Sequence, residues 1–381
     1  MTPARQRDTC RMSHANSDRT GAGIIATLRG NPLLWLLVFV PLVLAGEHLW
    51  PDRHTLLFFM SVLAIVPLAA LLSRATESVA DKTGEAVGGL LNATLGNLTE
   101  LVIALTALQA GQYLLVKASI AGAIVTNTLF MLGGAFLIGG LKHHEQQFNR
   151  ISARLQSGLL FLATVALLVP SMLAEEGRQD VLQPLSLGLA ALLIVAYGLG
   201  MVFSLRTHKE VFASAGGHGE GSEASWPISV ALVVLAVVTV LVALVSEVFV
   251  GSVQHAAETL GMTPAFVGFV VVALVGAAAE IVTAFGAAAK DRLDLSVAIA
   301  LGSAAQIALF VAPLLVVLSY FIGPAPMNLQ FWPGAIVMML VATLAATLMT
   351  NGGRSAWFVG VMILMVYAIF AMTLFLLPPA A

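Results

Sequence analysis

The chain has 381 residues and a mean hydropathy of +0.95, with 59% hydrophobic and only 10% charged residues. Soluble globular proteins carry about 25% charged residues, so the composition excludes an ordinary soluble domain and predicts a polytopic membrane protein. The net charge of −2 gives no basic surface for nucleic acid, and the single cysteine, Cys10, excludes an intrachain disulfide or a thiolate metal site.

A polar N-terminal stretch is followed by a long series of apolar segments. Residues 1–30 are arginine-rich and lack the apolar core of a cleaved signal, which predicts a cytoplasmic tail. Apolar runs between charged or Pro/Gly-bearing breaks then predict an all-α fold of about eleven transmembrane helices, the first within residues 31–50. The predicted spans are 32–49, 55–73, 86–110, 118–141, 156–174, 185–205, 227–250, 264–288, 295–322, 331–350 and 355–377.

The distribution of Lys and Arg predicts how these spans are oriented. With the N-terminus inside, fifteen of the 18 basic residues fall in loops on the cytoplasmic side, where positive charge accumulates, and three fall outside. The three outer residues are Arg53, Lys117 and Arg178. We expect an integral, multi-pass protein of the cell (inner) membrane, surrounded by lipid, with a cytoplasmic N-terminus.

The most polar internal segment divides the chain into two similar halves. Residues 207–226, THKEVFASAGGHGEGSEASW, have the Gly/Ser and acidic character of a flexible linker. Five predicted spans precede it in residues 55–206, once the first helix is set aside, and five follow it in residues 227–378. An odd number of spans per half forces opposite orientations, which predicts one N-terminal helix followed by two inverted five-helix repeats.

The sequence aligns with itself across these halves at an offset of 180 positions. VGGLLNATLGNLTELVIALTA, residues 87–107, then lies over VGFVVVALVGAAAEIVTAFGA, residues 267–287, without a gap. Small apolar residues match easily by chance, whereas the coincidence of Glu100 with Glu280 carries more weight. A charged side chain near the bilayer centre costs at least ~2.5 kcal/mol, so two acids at equivalent positions indicate a functional site.

The two acids are predicted to meet near the middle of the membrane. Glu100 lies fourteen residues into its span from one face, and Glu280 lies sixteen residues into its span from the other. At ~1.5 Å per residue, both reach the middle third of a ~30 Å hydrocarbon layer. Neither span contains Lys, Arg or His, so the pair requires bound cations or protons for neutrality.

Neutral oxygen donors accompany the acids, and Ca²⁺ is a hard cation that accepts carboxylates, amide and backbone carbonyls, and water. Asn97 lies one helical turn before Glu100, and Thr99 is adjacent to it, while Gly-rich surroundings would let the helices unwind. Asn127 and Gln306 lie among apolar neighbours in the following spans. The predicted metal ligands are therefore Glu100, Glu280, Asn97, Thr99, Asn127 and Gln306. We expect Ca²⁺ and H⁺ as competing substrates and no separate cofactor.

Three segments resemble a known family. GNLTELVIAL, residues 96–105, resembles the first signature of the cation/proton exchangers of the calcium/cation antiporter superfamily, and GAAAEIVTAFGAAAKDRLDLSVAIALGSAAQIALFVAP, residues 276–313, resembles the second. FSLRTHKEVF, residues 203–212, is similar to the segment that closes the first repeat in that family. The resemblance extends from about residue 55 to the C-terminus and implies an eleven-helix Ca²⁺/H⁺ antiporter in which Glu100 and Glu280 bind the ion.

The chain departs from the family pattern beside the second acid. Where the family usually has Asn and His, this sequence has Ala277 and Ile281. The second half-site is therefore predicted to be poorer in ligands than the first.

Other functions are also compatible with paired membrane carboxylates. Exchange against Na⁺, or transport of another divalent cation such as Mn²⁺, is the alternative within transport. An intramembrane acid/base hydrolase is the alternative of another class, although the sequence has no HExxH motif and no Asp in the predicted spans. We expect a transporter rather than an enzyme.

Overall fold

The computed structural model describes residues 32–83, 85–175, 179–208 and 226–377. The predicted tail 1–30 and most of the predicted linker 207–226 lie outside these ranges, so the boundaries proposed for both remain predictions. Apart from two three-residue strands, the regular structure of the described residues is helical. A helix satisfies its backbone hydrogen bonds within one segment, which a chain surrounded by lipid requires.

Among the described residues, the first half of the chain contains eight α-helices and one strand. A 3₁₀ segment, Pro32–Val38, leads into α1, and the helix α5 is joined to α6 by a π-helical segment, Thr126–Met131. The elements are α1 (Phe39–Leu49), α2 (His54–Thr83), α3 (Glu85–Leu95), α4 (Leu98–Gln109), α5 (Tyr113–Val125), α6 (Leu132–His143), β1 (Glu145–Gln147), α7 (Arg150–Glu175) and α8 (Gln179–Val202), the last followed by a π-helical segment, Phe203–Thr207.

The second half has a similar succession of helices, but its strand comes one helix later than the strand of the first half. After α9, a π-helical segment, Val267–Val272, lies between two short helices. A further π-helical segment, Ile307–Val311, joins α13 to α14. The elements are α9 (Ile228–Thr259), α10 (Pro264–Phe266), α11 (Ala273–Gly276), α12 (Ala278–Ala288), α13 (Leu293–Gln306), α14 (Ala312–Leu318), α15 (Pro333–Thr350), β2 (Arg354–Ala356) and α16 (Trp357–Leu376). The two strands pair antiparallel, with Gln146 opposite Ser355.

The predicted membrane class and helical fold are confirmed. Within the described residues, eight helices are long and apolar enough to cross a bilayer, and a ninth span results if the bent pair 264–276 and 278–288 counts as one. The predicted first and third spans contain shorter apolar helices, Leu33–Leu49 and Leu98–Gln109. The total of eleven spans therefore remains a prediction.

Two helices are longer than their apolar runs predicted. The runs ended at residues 73 and 250, whereas α2 continues to Thr83 and α9 continues to Thr259. With 30 and 32 residues, these helices exceed the ~20 residues that a ~30 Å hydrocarbon layer needs. The hydropathy of the sequence identifies only the apolar part of each helix. The polar turns that extend the helix beyond the lipid give no such signal.

Each half contains one spanning segment that is broken at the same position. The predicted span 86–110 ends one helix at Leu95 and starts another at Leu98, with Asn97 at φ −100° and ψ 31°. The predicted span 264–288 breaks at Ala277, with φ −81° and ψ 5°, and bends there by 59°. Asn97 and Ala277 are 180 positions apart, which is the offset of the sequence repeat.

The turns after these broken segments also correspond. Gly111 has φ 71° and Asp291 has φ 61°, so both residues adopt left-handed backbone at positions 180 apart. Asp291 lacks the freedom of glycine, and Asp is among the few other residue types that adopt this region readily. The internal repeat predicted from the sequence is thus matched by the backbone at these positions.

The long helices α2 and α9, one from each repeat, pack against each other. The rings of Phe58 and Phe249 stack with centroids 5.3 Å apart, and those of His54 and His255 stack at 4.3 Å. This pair flanks the broken segments, because α2 also contacts α3, α11 and α12, and α9 contacts α4.

A glycine fixes the crossing between the two repeats. A Cβ added to Gly122 of α5 would lie 2.2 Å from the carbonyl oxygen and 2.4 Å from the Cα of Phe269. These are backbone atoms, which cannot move aside as a flexible side chain can. Small residues permit such close approach of membrane helices, and this one brings the first repeat against the π-helical segment that precedes Ala277.

The predicted orientation can be tested by cysteine labelling. Asp180→Cys and His218→Cys, each in a Cys10→Ser background, are expected to react with a membrane-impermeant thiol reagent from opposite sides, because the positive-inside distribution places one spanning helix between them. Labelling of intact and inverted vesicles would be compared. If both positions react from the same side, the predicted orientation of the two repeats is wrong.

Candidate cation site

The two helix breaks place both predicted acids at the starts of new helices. Glu100 lies in the first turn of α4, which begins after Asn97, and Glu280 lies in the first turn of α12, which begins after Ala277. The unpaired N–H groups of a helix N-terminus carry partial positive charge, so a carboxylate in the first turn is stabilised there. The local sequence thus provides two short helices whose positive ends both hold an acid.

The two acids come together across the repeat interface. A Cβ added to Gly276 would lie 2.9 Å from Cγ and 3.3 Å from Cδ of Glu100, so this side chain rests directly on the glycine backbone. Gly276 is four residues before Glu280, and the charges of the two acids act on each other. The missing side chain at Gly276 is therefore what gives Glu100 its place beside the second acid.

Each acid has one oxygen without a protein partner. Oε1 of Glu100 and Oε2 of Glu280 are buried and accept no hydrogen bond from the described residues. Buried polar atoms are almost always hydrogen-bonded, so two such oxygens at one place are suited to a cation or to protons.

The predicted amide ligands form one hydrogen-bonded network with a serine. Asn97 donates from Nδ2 to Oε1 of Gln306 and accepts at Oδ1 from the hydroxyl of Ser303, at 2.8 Å. Asn127 donates from Nδ2 to Oγ of Ser303, at 2.9 Å. Asn127 is fully buried, and its Oδ1 has no partner among the described residues. Three predicted ligands thus lie together, with a further unpaired oxygen among them.

Ser303 connects this network to the second acid, because its hydroxyl is also in hydrogen-bond contact with Glu280. A hydroxyl has one hydrogen to donate, so it can serve Asn97 or Glu280 but not both at once. When an ion or a proton changes the charge on Glu280, the Ser303 hydroxyl has a second acceptor available at Asn97.

Thr99 is the predicted ligand that the structure does not join to this network. Its side chain is buried, with 4% exposed, but no hydrogen bond links it to the other predicted ligands among the described residues. Neighbouring helical residues point about 100° apart, so a residue adjacent to Glu100 faces away from it. Its role as a ligand remains a prediction.

Sequence reasoning missed three polar residues near the site. Ser303 lies three residues before Gln306 and shares its helix face, so its spacing could have identified it. Tyr197 of α8 hydrogen-bonds Gln306, and Glu77 of α2 acts electrostatically on Glu280. Glu77 lies four residues beyond the predicted end of its span, and nothing in the sequence relates Tyr197 to the acids.

A small cavity begins at Glu100 and extends towards the face of the membrane where α5 starts. Apart from the acid and one serine, its lining is aliphatic. The lining residues are Glu100, Ala104, Ser119, Ile120, Ala123, Val272, Ala273, Ile307 and Val311. Towards this face the site is enclosed mainly by groups that offer a cation no ligand.

The donor set decides which ions this site can hold. Within the described residues, no cluster of three or more His, Cys, Asp or Glu side chains could hold a metal ion. The groups that converge are two carboxylates, amides and a hydroxyl, all with hard oxygen atoms. Such a set is typical of Ca²⁺, which tolerates flexible oxygen coordination, rather than of metals that need thiolate or imidazole.

The position of Ser303 leads to a prediction about its hydroxyl. We expect Ser303→Ala to raise the half-saturating cation concentration by about tenfold, as loss of a partner that orients metal ligands typically does, because Asn97 and Asn127 each lose a hydrogen bond. Ser296→Ala is a matched control, since that buried serine of α13 bonds only backbone carbonyls. Equal behaviour of both variants would contradict an orienting role for Ser303.

Comparison with known proteins places this chain in a family. The model of the family described as sodium/calcium exchanger protein matches residues 53–206 and 230–376. A Ca²⁺/H⁺ antiporter of Synechocystis sp. is 41% identical over 364 residues, which cover 91% of this chain and 97% of that protein. A Ca²⁺/H⁺ antiporter of Aphanothece halophytica is 39% identical over 359 residues, covering 90% and 96%.

A solved structure shares the fold. The crystal structure of the Ca²⁺/H⁺ antiporter protein YfkE has a TM-score of 0.77 and 36% identity, and the match covers 90% of this chain and 98% of that one. The resemblance found in the signature segments is thereby confirmed. With one family model matching both repeats, and relatives alike along nine-tenths of its length, the chain belongs to the sodium/calcium exchanger protein family.

Proposed function

We propose that this protein is a secondary active antiporter that exchanges Ca²⁺ for H⁺ across a membrane by alternating access. One observation carries the proposal: Glu100 and Glu280, equivalent residues of two inverted repeats, converge with one unpartnered oxygen each. Relatives named as Ca²⁺/H⁺ antiporters, about 40% identical over most of the chain, support it.

Charge balance explains why one site serves both ions. The neighbouring amides and the Ser303 hydroxyl are neutral and cannot compensate two carboxylates. A Ca²⁺ ion brings two positive charges and accepts carboxylate and amide oxygens as ligands. Protons neutralise the same carboxylates without occupying the space of the ion. Ca²⁺ or protons alone neutralise the two carboxylates, whereas both together would leave an excess of positive charge. Binding of Ca²⁺ therefore displaces the protons, and protonation displaces Ca²⁺.

The inverted repeats explain how the site can face both sides. Transporters of this kind keep their substrate site near the membrane midplane, at the interface of broken helices from the two repeats, and expose it to each side in turn. Here the broken segments α3–α4 and α10–α12 supply the acids, and the paired helices α2 and α9 flank them. Exchange follows if the site changes sides only when it is neutralised by Ca²⁺ or by protons.

The membrane and orientation are part of the proposal. The chain is an integral, multi-pass membrane protein, and we propose the inner membrane of the cell as its location. The distribution of basic residues supports a cytoplasmic N-terminus. In this orientation α5 begins at the outer face, and Ca²⁺ extrusion would move the ion from α12 past Glu100 towards that face.

Reconstituted vesicles test the proposed function directly. The purified protein would be placed in liposomes with an acidic lumen, and uptake of radiolabelled Ca²⁺ would be followed with and without a protonophore. We expect uptake that depends on the pH gradient and is lost when the protonophore collapses it. Uptake that persists unchanged without a gradient would indicate a passive pathway and contradict antiport.

The same vesicles distinguish the alternatives within transport. A Na⁺ gradient of equal size, at constant pH, is expected to drive no Ca²⁺ uptake. Unlabelled Mn²⁺ would be added as a competitor to measure selectivity among divalent cations. Uptake driven by Na⁺ and not by H⁺ would show that Na⁺ is the coupling ion. The two carboxylates would then still be the proposed Ca²⁺ ligands.

A further inference from the structure

A basic side chain lies in the spanning helix α5, close to the proposed ion path. Lys117 is half-buried, and its Nζ donates to Oδ1 of Asn328 at 2.6 Å. Among the described residues, no carboxylate forms an ion pair with this ammonium. Placing a lysine in a spanning helix costs free energy, so such residues usually have a function. Binding of a cation does not by itself require a positive charge near the site.

The ammonium is held in place by an ordered segment. Asn328 belongs to residues 319–332, which join α14 to α15. Four side chains tie this segment to the helices around it. The bonds run from Tyr113 to the carbonyl of Ala325 (2.6 Å), from Gln183 to the carbonyl of Met327 (3.3 Å), from the amide of Leu329 to Ser186 (3.0 Å) and from the amide of Phe331 to Ser171 (2.9 Å). Asn328 therefore fixes the Lys117 charge at one location.

That location is next to the cavity that starts at Glu100. Ile120 and Ala123 line this cavity. Lys117 precedes Ile120 by three residues, so it shares a helix face with a lining residue and lies about 4.5 Å further along the axis. Lys117 therefore lies near the route of an ion that leaves Glu100 towards the face where α5 begins, here named the α5 face.

The second repeat has no counterpart of this lysine. The residue 180 positions after Lys117 is Val297 of α13, which is buried and uncharged. At the opposite face, the residues around the start of α13 carry two acids, Asp291 and Asp294, which are balanced by the basic residues Lys290 and Arg292. The two sides of an otherwise symmetric site therefore differ at this position, because only α5 carries a charged side chain there.

We propose that Lys117 sets the ion affinity of the site on the α5 face, where its fixed positive charge weakens Ca²⁺ binding and so promotes release of the ion. The inference rests on the proposed function and adds a direction to it. An electrostatic barrier made by one basic residue is a known means of controlling cation passage. A divalent ion feels twice the repulsion of a monovalent one at the same distance.

Three variants separate the charge from the hydrogen bond. Lys117→Gln removes the charge and keeps a donor for Asn328, whereas Asn328→Ala removes the tether and keeps the charge. Asn328→Asp leaves Lys117 in place and sets a carboxylate against its ammonium, so it cancels the charge even if Lys117→Gln does not insert. Lys117→Arg serves as the conservative control.

The measurement is the half-saturating concentration of radiolabelled Ca²⁺ for pH-driven exchange, taken from each face in vesicles of known protein orientation. We expect Lys117→Gln and Asn328→Asp to lower this concentration about tenfold on the α5 face, as an interaction of this range would, with less than a twofold change on the opposite face. Lys117→Arg is expected to match the wild-type protein on both faces. Asn328→Ala keeps the charge but not its fixed position, so we expect it to shift the concentration on the α5 face by less than Lys117→Gln does.

Several results would overturn the inference. A change of equal size on both faces, or no change in Lys117→Gln and Asn328→Asp, would show that the charge does not act on one face. The same shift in Asn328→Ala would attribute the effect to the 319–332 segment. A wild-type protein whose Ca²⁺ uptake ignores the pH gradient would contradict the proposed function itself, which the variants alone cannot do.

Discussion

Glu100→Gln and Glu280→Gln are each expected to abolish pH-driven Ca²⁺ uptake while the protein remains folded and inserted. The amide keeps the size of the carboxyl group but removes its charge, so the variant site holds one acid where Ca²⁺ needs two for neutrality. Each acid also supplies an oxygen that no protein group occupies. We expect a loss greater than about 100-fold, since removal of a mere orienting partner of a metal ligand already costs 10- to 100-fold.

The control for this experiment is a glutamate that lies in a spanning helix away from the site. Glu247 of α9 is exposed on the surface of its helix, so Glu247→Gln makes the same chemical change in a comparable setting. It is expected to transport at the wild-type rate. Gel filtration would show whether each variant is intact. If either intact site variant transports at the wild-type rate, the model of one shared site is wrong.

Asn97→Ala is expected to raise the apparent Michaelis constant for Ca²⁺ by about tenfold, and Ala277→Asn to lower it or to shift the preference among divalent cations. Asn97 and Ala277 occupy equivalent breaks, yet only Asn97 offers an amide, and that amide bonds Gln306 and Ser303. The first half-site should therefore dominate ion affinity. Looser binding of Ca²⁺ also leaves the carboxylates easier to protonate, so inhibition by acid should increase in parallel.

The measurement is Ca²⁺ uptake against concentration at two pH values for both variants. Asn92→Ala provides a matched control, because Asn92 is an exposed asparagine of α3, close to the break but on the surface. Ala277 is fully buried, so insertion of the Ala277→Asn protein must be verified before its affinity is interpreted. If Asn97→Ala behaves as the wild type at both pH values, Asn97 only packs or bonds between helices and is not a ligand.

Much of the site could be recognised in the sequence because its key features repeat. The offset that superposes Glu100 on Glu280 also superposes the helix breaks at Asn97 and Ala277 and the left-handed turns at Gly111 and Asp291. This internal similarity can be detected by aligning the sequence with itself. The grouping of Asn97, Asn127 and Gln306 was likewise predicted, because amides stand out among apolar neighbours.

The parts that were not predicted depend on residues far apart in the chain. Ser303 meets Asn97 across 206 positions, and Tyr197 meets Gln306 from another helix. Thr99 looked equivalent to its neighbours in sequence and lies outside their network. Such relations depend on how helices are rotated about their axes, and hydropathy does not record rotation in a helix that is apolar on every side.

By itself the sequence determined the membrane class, the internal repeat and the equivalence of two acids, because hydropathy and internal similarity can be read from short stretches of residues. Only the tertiary structure decided where spans break, how far α2 and α9 continue, and which oxygens face one another. The physical reason is close packing: Gly122 against the backbone of Phe269, and Gly276 against Glu100, set helix positions to within a fraction of an atomic diameter. A pattern within a short stretch of sequence cannot specify a contact between two residues that belong to different repeats.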